Sequence, residues 1–219
     1  MPLILAVDTT SEYGSLALMR DGELLEEALL HAPGSFSPVL YEELARLLER
    51  HGVKLAEVGC FAAASGPGTF TGVRVALACV KGLAEAVGRP AVAVSNLEAV
   101  SRFGTARLRG VVLDAHRGEI YAAVYDGAGK LVTPEVVTKL GPWLESVPAG
   151  VEEFLSNDLP LVLEGTRFAG ALVVTAPRAL AEAIARIAGE RLARGEASDA
   201  AALDANYVRR TDAELSLKV

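Results

Sequence analysis

Three stretches of the chain carry residue types that could do chemistry. The first is Asp8-Thr9-Thr10-Ser11, which closes the apolar run from Leu3 to Val7. Amides in a tight turn form a nest for an anion, and a carboxylate beside them can hold Mg²⁺ through water. An Asp at a strand end also serves as a plain turn or cap residue. The second stretch is Gly66-Pro67-Gly68-Thr69-Phe70-Thr71-Gly72-Val73-Arg74. Strand, glycine turn and helix start are the ingredients of a phosphate loop. The pattern G-x-x-x-x-G-K-[ST] needs a Lys where Val73 stands, and G-x-G-x-x-G needs a Gly where Thr71 stands. This stretch therefore reads as a structural turn presenting a helix. The third, Asp114-Ala115-His116-Arg117-Gly118-Glu119, either gathers carboxylates for a metal or forms a charged hairpin tip. Asp8, Thr9, Thr10, Ser11 and Asp114 are kept as vestigial phosphate-loop candidates.

No catalytic set emerges. His31, His51 and His116 are scattered, with neither H-x-x-x-H nor H-E-x-x-H among them. Cys60 and Cys79 each sit inside an apolar segment, outside any C-x-x-C spacing, and read as small buried hydrophobes. No residue is assigned as catalytic or as a metal ligand.

The elements that must position these stretches follow from the hydrophobic pattern. Leu3 to Thr9 reads as a buried strand, and Ser15 to Arg20 and Leu24 to Leu30 flank the hairpin turn Asp21-Gly22. After Pro33-Gly34, a helix is expected from Ser37 to His51, with Leu40, Leu44, Leu47 and Leu48 at helical spacing. Cys60 to Ser65 is a strand, Thr69 to Val87 a helix stopped by Gly88 and Pro90, Ala91 to Ser95 a strand, and Asn96 to Phe103 a short helix. The second half expects strands at Arg109 to Ala115, Ile120 to Tyr125, Val136 to Leu140, Leu161 to Glu164 and Leu172 to Thr175. A helix from Pro177 to Arg194 closes it.

Each half opens with a strand, an acidic residue, a polar loop, a second strand and an Asp-Gly turn (Asp8 then Asp21-Gly22; Asp114 then Asp126-Gly127). Two similar hairpins can arise by chance; a duplicated ribonuclease-H-like unit is the sharper reading. It places an amino-terminal domain at 1–105 and a smaller, degenerate one at 106–219.

The helix from Thr69 carries two apolar stripes. Val73, Leu77, Val80, Ala84 and Val87 form one; the smaller Gly72, Ala76, Cys79 and Leu83 form the other. Two stripes imply burial on both sides, either within the chain's own core or with the small-residue stripe against a partner helix.

Composition narrows the function. Hydrophobic residues make up 51% of the 219, which is enough for a sizeable core. The formal charge is -7, and the only dense basic run is Arg209-Arg210, so any work on RNA is expected to be indirect. No apolar run approaches the ~20 residues of a membrane helix, and the amino terminus lacks a charged leader, so a cytoplasmic protein is expected.

Four blocks together resemble the TsaB (YeaZ) family: L-A-V-D-T-T at 5–10, A-S-G-P-G-T-F-T-G-V-R at 64–74, L-D-A-H-R-G-E-I-Y-A-A-V-Y at 113–125 and N-Y-V-R-R at 206–210. The resemblance implies an α/β, actin-like fold of two tandem ribonuclease-H-like domains. It implies a non-catalytic subunit in forming threonylcarbamoyl-adenosine at position 37 of tRNAs that read ANN codons. The implied partners are the TsaD transferase, as a heterodimer, and the ATPase TsaE, with a homodimer when the chain is alone. ATP and metal would belong to those partners, leaving no cofactor here, and tRNA would be met only through the complex. In the family the two long helices of the first half make the contact, which adds Tyr41 and Leu44 to Gly72, Ala76, Cys79 and Leu83 as interface candidates. TsaD-type enzymes bind metal through an H-x-x-x-H helix; the helix from Ser37 has no such pair, and Phe36-Ser37 stands where many relatives have H-[ST]. The competing reading is a free-standing ATP-dependent kinase-like enzyme or a metal-dependent hydrolase.

Overall fold

The computed structural model describes residues 2–32, 36–157 and 159–208. Pro33-Gly34 and the Arg209-Arg210 pair lie outside them. The chain forms two compact units. The first comprises Met1–Ala99 and Arg178–Ala205; the second comprises Val100–Pro177 and the stretch starting at Asn206.

In the first unit β1 (Leu3–Asp8), β2 (Tyr13–Arg20) and β3 (Glu23–His31) form an antiparallel meander. Helix α1 (Ser37–Arg50) leads to β4 (Cys60–Gly66), and α2 (Phe70–Val87) to β5 (Ala91–Ser95). Strands β4 and β5 continue the sheet in parallel, giving the order β3-β2-β1-β4-β5. Every residue of β1 is buried, as a strand covered on both faces requires. Leu3, Leu5 and Val7 join the core with Leu40, Leu44, Leu47, Val73 and Val80 of α1 and α2. The opposite face, at Ile4, lies under α5 (Ala181–Ala193), where a Cβ on Gly189 would stand 3.1 Å from Ile4 Cδ1. Helix α3 (Asn96–Ser101) follows β5.

The second unit repeats the plan. Strands β6 (Leu108–Asp114), β7 (Ile120–Asp126) and β8 (Leu131–Thr138) form an antiparallel meander. After α4 (Leu140–Ser146), β9 (Glu153–Ser156) and β10 (Leu172–Thr175) add in parallel beside β6. The order β8-β7-β6-β9-β10 matches the first sheet strand for strand. Trp143, Phe154 and Phe168 meet edge to face in its core, with ring centroids 6.0 and 5.0 Å apart.

Several expectations need correcting. No strand forms at Leu161 to Glu164; Leu163 instead plugs the second core from a loop. The strand expected from Val136 to Leu140 starts earlier, at Leu131, and Leu140 opens α4. Strand β9 was not anticipated. The last helix, expected in a domain spanning 106–219, packs on the first sheet, because its buried Ala181, Ile184, Ala185, Ile187 and Ala188 cover that sheet's open face. No helix among the described residues is long and apolar enough to cross a membrane.

Candidate functional site

The chemistry-bearing residues of the first unit collect at the carboxyl ends of β1, β4 and β5. Asp8 Oδ1 accepts from Thr10 N at 2.9 Å and from Thr10 Oγ1 at 2.6 Å. Asn96, the first residue of α3, donates from Nδ2 to Thr10 Oγ1 at 2.7 Å and accepts from Gly66 N at 3.0 Å. Thr9 Oγ1 donates to Gly72 O at 2.7 Å, and Thr69 N to Thr10 O at 2.7 Å. The loop after β1 is thus stitched to the glycine turn that starts α2. Ser11 turns away; its hydroxyl exchanges hydrogen bonds with the backbone of Tyr13.

This network shows the structural role of these residues. An anion nest needs free amides, yet Thr10 N serves Asp8 and Thr69 N serves Thr10 O. The glycines serve close approach: a Cβ on Gly72 would stand 1.9 Å from Thr9 O, and one on Gly68 2.5 Å from Thr10 O. At the start of α2, the Thr9 and Thr10 carbonyls thus lie against the glycine turn. Asp8 is buried, and desolvation pushes its carboxyl above the ordinary Asp value despite the bonds from Thr10 and Asn96.

Asp114 closes β6 as Asp8 closes β1, and makes the same turn: Oδ1 accepts from His116 N at 2.8 Å. His116 and Arg117 both adopt left-handed backbone, φ 60° and 56°, ahead of Gly118 at 76°. His116 Nδ1 lies 3.2 Å from Asp114 Oδ2. Among the described residues, no three His, Cys, Asp or Glu side chains converge into a possible metal site. Burial lifts the Cys60 and Cys79 thiols to about 11, away from reactive thiolate character.

The sequence family described as TsaD, tRNA N6-adenosine threonylcarbamoyltransferase, matches residues 33–202, more than half the chain. The chain is 28% identical over 225 aligned residues to the tRNA threonylcarbamoyladenosine biosynthesis protein TsaB of Bacillus subtilis, covering 96% of both. The solved structure of YeaZ from Pseudomonas aeruginosa superposes with a TM-score of 0.76 at 28% identity, over 94% of this chain and all of that one. The chain belongs to the TsaD family, in its TsaB (YeaZ) branch. Its fold is actin-like, and component A of the Acidaminococcus fermentans (R)-2-hydroxyglutaryl-CoA dehydratase shares it at a TM-score of 0.53 and 12% identity, over 88% of this chain and all of that one.

The sequence reading places the interface candidates on the two long helices, and the structure shows which of those residues face the core. Gly72, Ala76 and Cys79 are buried, and Leu83 packs partly buried against the same core. Leu44 is buried too, whereas Tyr41 is 55% exposed and reaches Cys79 with its hydroxyl. Gly72 lets α2 approach the loop after β1, and Ala76, Cys79 and Leu83 pack in or against the chain's own core. The outward face of α2 lies elsewhere, at Arg74, Ala78, Gly82 and Ala86. Phe70, 47% exposed, starts that face and carries the Arg74 guanidinium 3.6 Å above its ring.

Three functional positions escaped the sequence reading. Asn96 joins three loop ends; Ser15 and Glu27 hold the amino end of α5. The Ser15 hydroxyl accepts from Leu180 N and Ala181 N at 3.1 and 3.0 Å, and Glu27 Oε1 accepts from Glu182 N at 2.7 Å. A helix start without its own cap residue was the available signal: Pro-Arg-Ala-Leu precedes α5 where Ser, Thr, Asp or Asn would be expected.

Proposed function

We propose that this chain is a non-catalytic subunit in the biosynthesis of threonylcarbamoyladenosine at position 37 of tRNAs reading ANN codons. It dimerises with a TsaD-type transferase and activates it, in the cytoplasm. The observation that carries this reading is the loop of Asp8, in which Thr10 N is taken by Asp8 and the Thr9 and Thr10 carbonyls pack against the glycine turn of α2, in a chain alike to TsaB and YeaZ along nearly its whole length. ATP and metal belong to the partners, TsaD and the ATPase TsaE, and tRNA is met only in the assembly. A net charge of -7 supports that last point, since phosphate is repelled by an acidic surface.

The partner surface is the outward side of α1 and α2, where Tyr41, Phe70, Ala78 and Gly82 are exposed. Small residues four apart let a partner helix come close, and the exposed rings supply apolar area. A second copy of the chain takes the same surface when TsaD is absent.

The test is reconstitution of tRNA modification from purified components. Omitting this chain should abolish product, and the chain alone should neither modify tRNA nor turn over ATP. ATP turnover by the pure chain that vanishes with Asp8→Asn would instead establish a kinase-like enzyme.

A further inference from the structure

Helix α5 carries the chain back from the second unit to the first, and it has no cap of its own. Leu180 occupies its N-cap position with no side-chain bond. The amides of Leu180 and Ala181 go to the Ser15 hydroxyl on β2, and that of Glu182 to the Glu27 carboxylate on β3. Two neighbouring strands thus cap a helix more than 150 residues away in sequence. Ser15 is fully buried and Glu27 half-buried.

The surroundings of Glu27 are acidic. Asp8 on β1 and Glu182 on α5 both act on it as like charges. The nearby cation, Arg186, is held by Glu182 at 2.7 Å and by Gly22 O. Among the described residues no Lys, Arg or His pairs with Glu27. Its charge is supported only by the amide dipoles at the start of α5.

We propose that Glu27 is a proton-responsive clasp, so that α5 seats more tightly on the first unit as pH falls from neutral toward mildly acidic. The carboxyl oxygen goes on accepting from Glu182 N after protonation, while the desolvated charge and its repulsion from Asp8 and Glu182 disappear. Burial raises the Glu27 carboxyl above its ordinary value of 4.5, with Asp8 and Glu182 acting in the same direction. A raised folded-state value means that the stabilisation is present at low pH and lost as pH rises through it. The window therefore opens above 4.5.

The experiment is amide hydrogen exchange of α5 in the full chain, corrected for intrinsic rates, at about pH 4.5 and 7.5. Protection of Ile184 to Ala188 should rise several-fold at the lower pH in the native chain. In Glu27→Gln it should be independent of pH and no weaker than native at the higher pH. PH-independent protection in the native chain overturns the proposal. So does a pH dependence that survives Glu27→Gln and disappears in Asp8→Asn, which would make Asp8 the titrating group. Should the glutamine variant not fold, carbon NMR titration of Glu27 in the native chain decides. A midpoint above the ordinary Glu range supports the clasp, and one at or below it refutes it.

Discussion

Asn96 Nδ2 donates to Thr10 Oγ1 at 2.7 Å while Asn96 Oδ1 accepts from Gly66 N, so a single buried amide joins the ends of β1 and β4 to the start of α3. Removing it takes the partner of the Gly66 amide and one donor from the Thr10 hydroxyl, which keeps its own bond to Asp8. Asn96→Ala should lower unfolding free energy by about 1–3 kcal/mol, the cost of leaving a buried polar group without its partner. Denaturant melts should show a lower midpoint with an unchanged slope.

Ala76 and Ala78 lie two residues apart on α2, one fully buried and the other exposed. Ala76→Arg forces an unpaired charge into a packed core and should leave no cooperative unfolding transition. Ala78→Arg should shift stability by no more than about 0.5 kcal/mol, as surface changes do, yet abolish association with the TsaD-type partner. Circular dichroism and light scattering on the two variants separate fold from contact.

Glycine behaves differently along the same helix. A Cβ at Gly72 meets Thr9 O at 1.9 Å, whereas one at Gly82 meets nothing within 4 Å. Gly72→Ala should be severely destabilising. Gly82→Ala should stabilise the isolated chain by roughly 0.5–1 kcal/mol, the ordinary gain in a helix interior, while weakening partner binding. A loss of stability in Gly82→Ala would show that this position packs internally.

Asp8 sits 2% exposed with its carboxyl raised above the ordinary 3.8 by desolvation. Its share of stability is therefore complete in acid and lost as pH rises through the folded-state value. Asn in its place keeps an oxygen for both bonds from Thr10 and carries no charge. Asp8→Asn should raise the urea midpoint at about pH 7.5 and leave it nearly unchanged at about pH 3, where both folded and unfolded carboxyls are protonated. A lower midpoint at the higher pH would mean that the charge itself is needed for the fold.

Most strands of the meanders were legible because their side chains are apolar without interruption, as from Leu3 to Val7, or end in an Asp-Gly turn. Strand β9 is hidden because it is only four residues long, opens on Glu153 and follows another acid, Glu152. Glu153 is 2% exposed, and its charge is absorbed by the amides of Thr105 and Ala106, with Arg109 Nε 3.9 Å away. Sequence shows residue types, not the distant partners that make a buried carboxylate tolerable. The reverse error occurred at Leu161 to Glu164, where apolar residues in a loop fill a core.

The two stripes of α2 were visible as a pattern, but periodicity cannot tell which neighbour takes which stripe. Small residues point to a partner helix by pattern; in the structure Gly72 admits the carbonyl of Thr9, and Ala76 and Cys79 join the core. At the candidate site, the glycines and the acid were legible. Asn96 was not, because its partners lie 30 and 86 residues away.

The discontinuity of the first unit has a bearing on its birth at the ribosome. Its five strands are complete by Ser95, but the helix that covers one face is made only from Ala181 onward. At about 5–20 residues per second, the roughly 80 residues of the inserted unit take about 4–16 s to synthesise. Throughout that interval Ile4, Ala17 and Met19, buried in the finished protein, belong to a half-dressed sheet. A nascent chain halted before α5 should thus be a substrate for ribosome-associated chaperones, and one halted well beyond Ala193 should not.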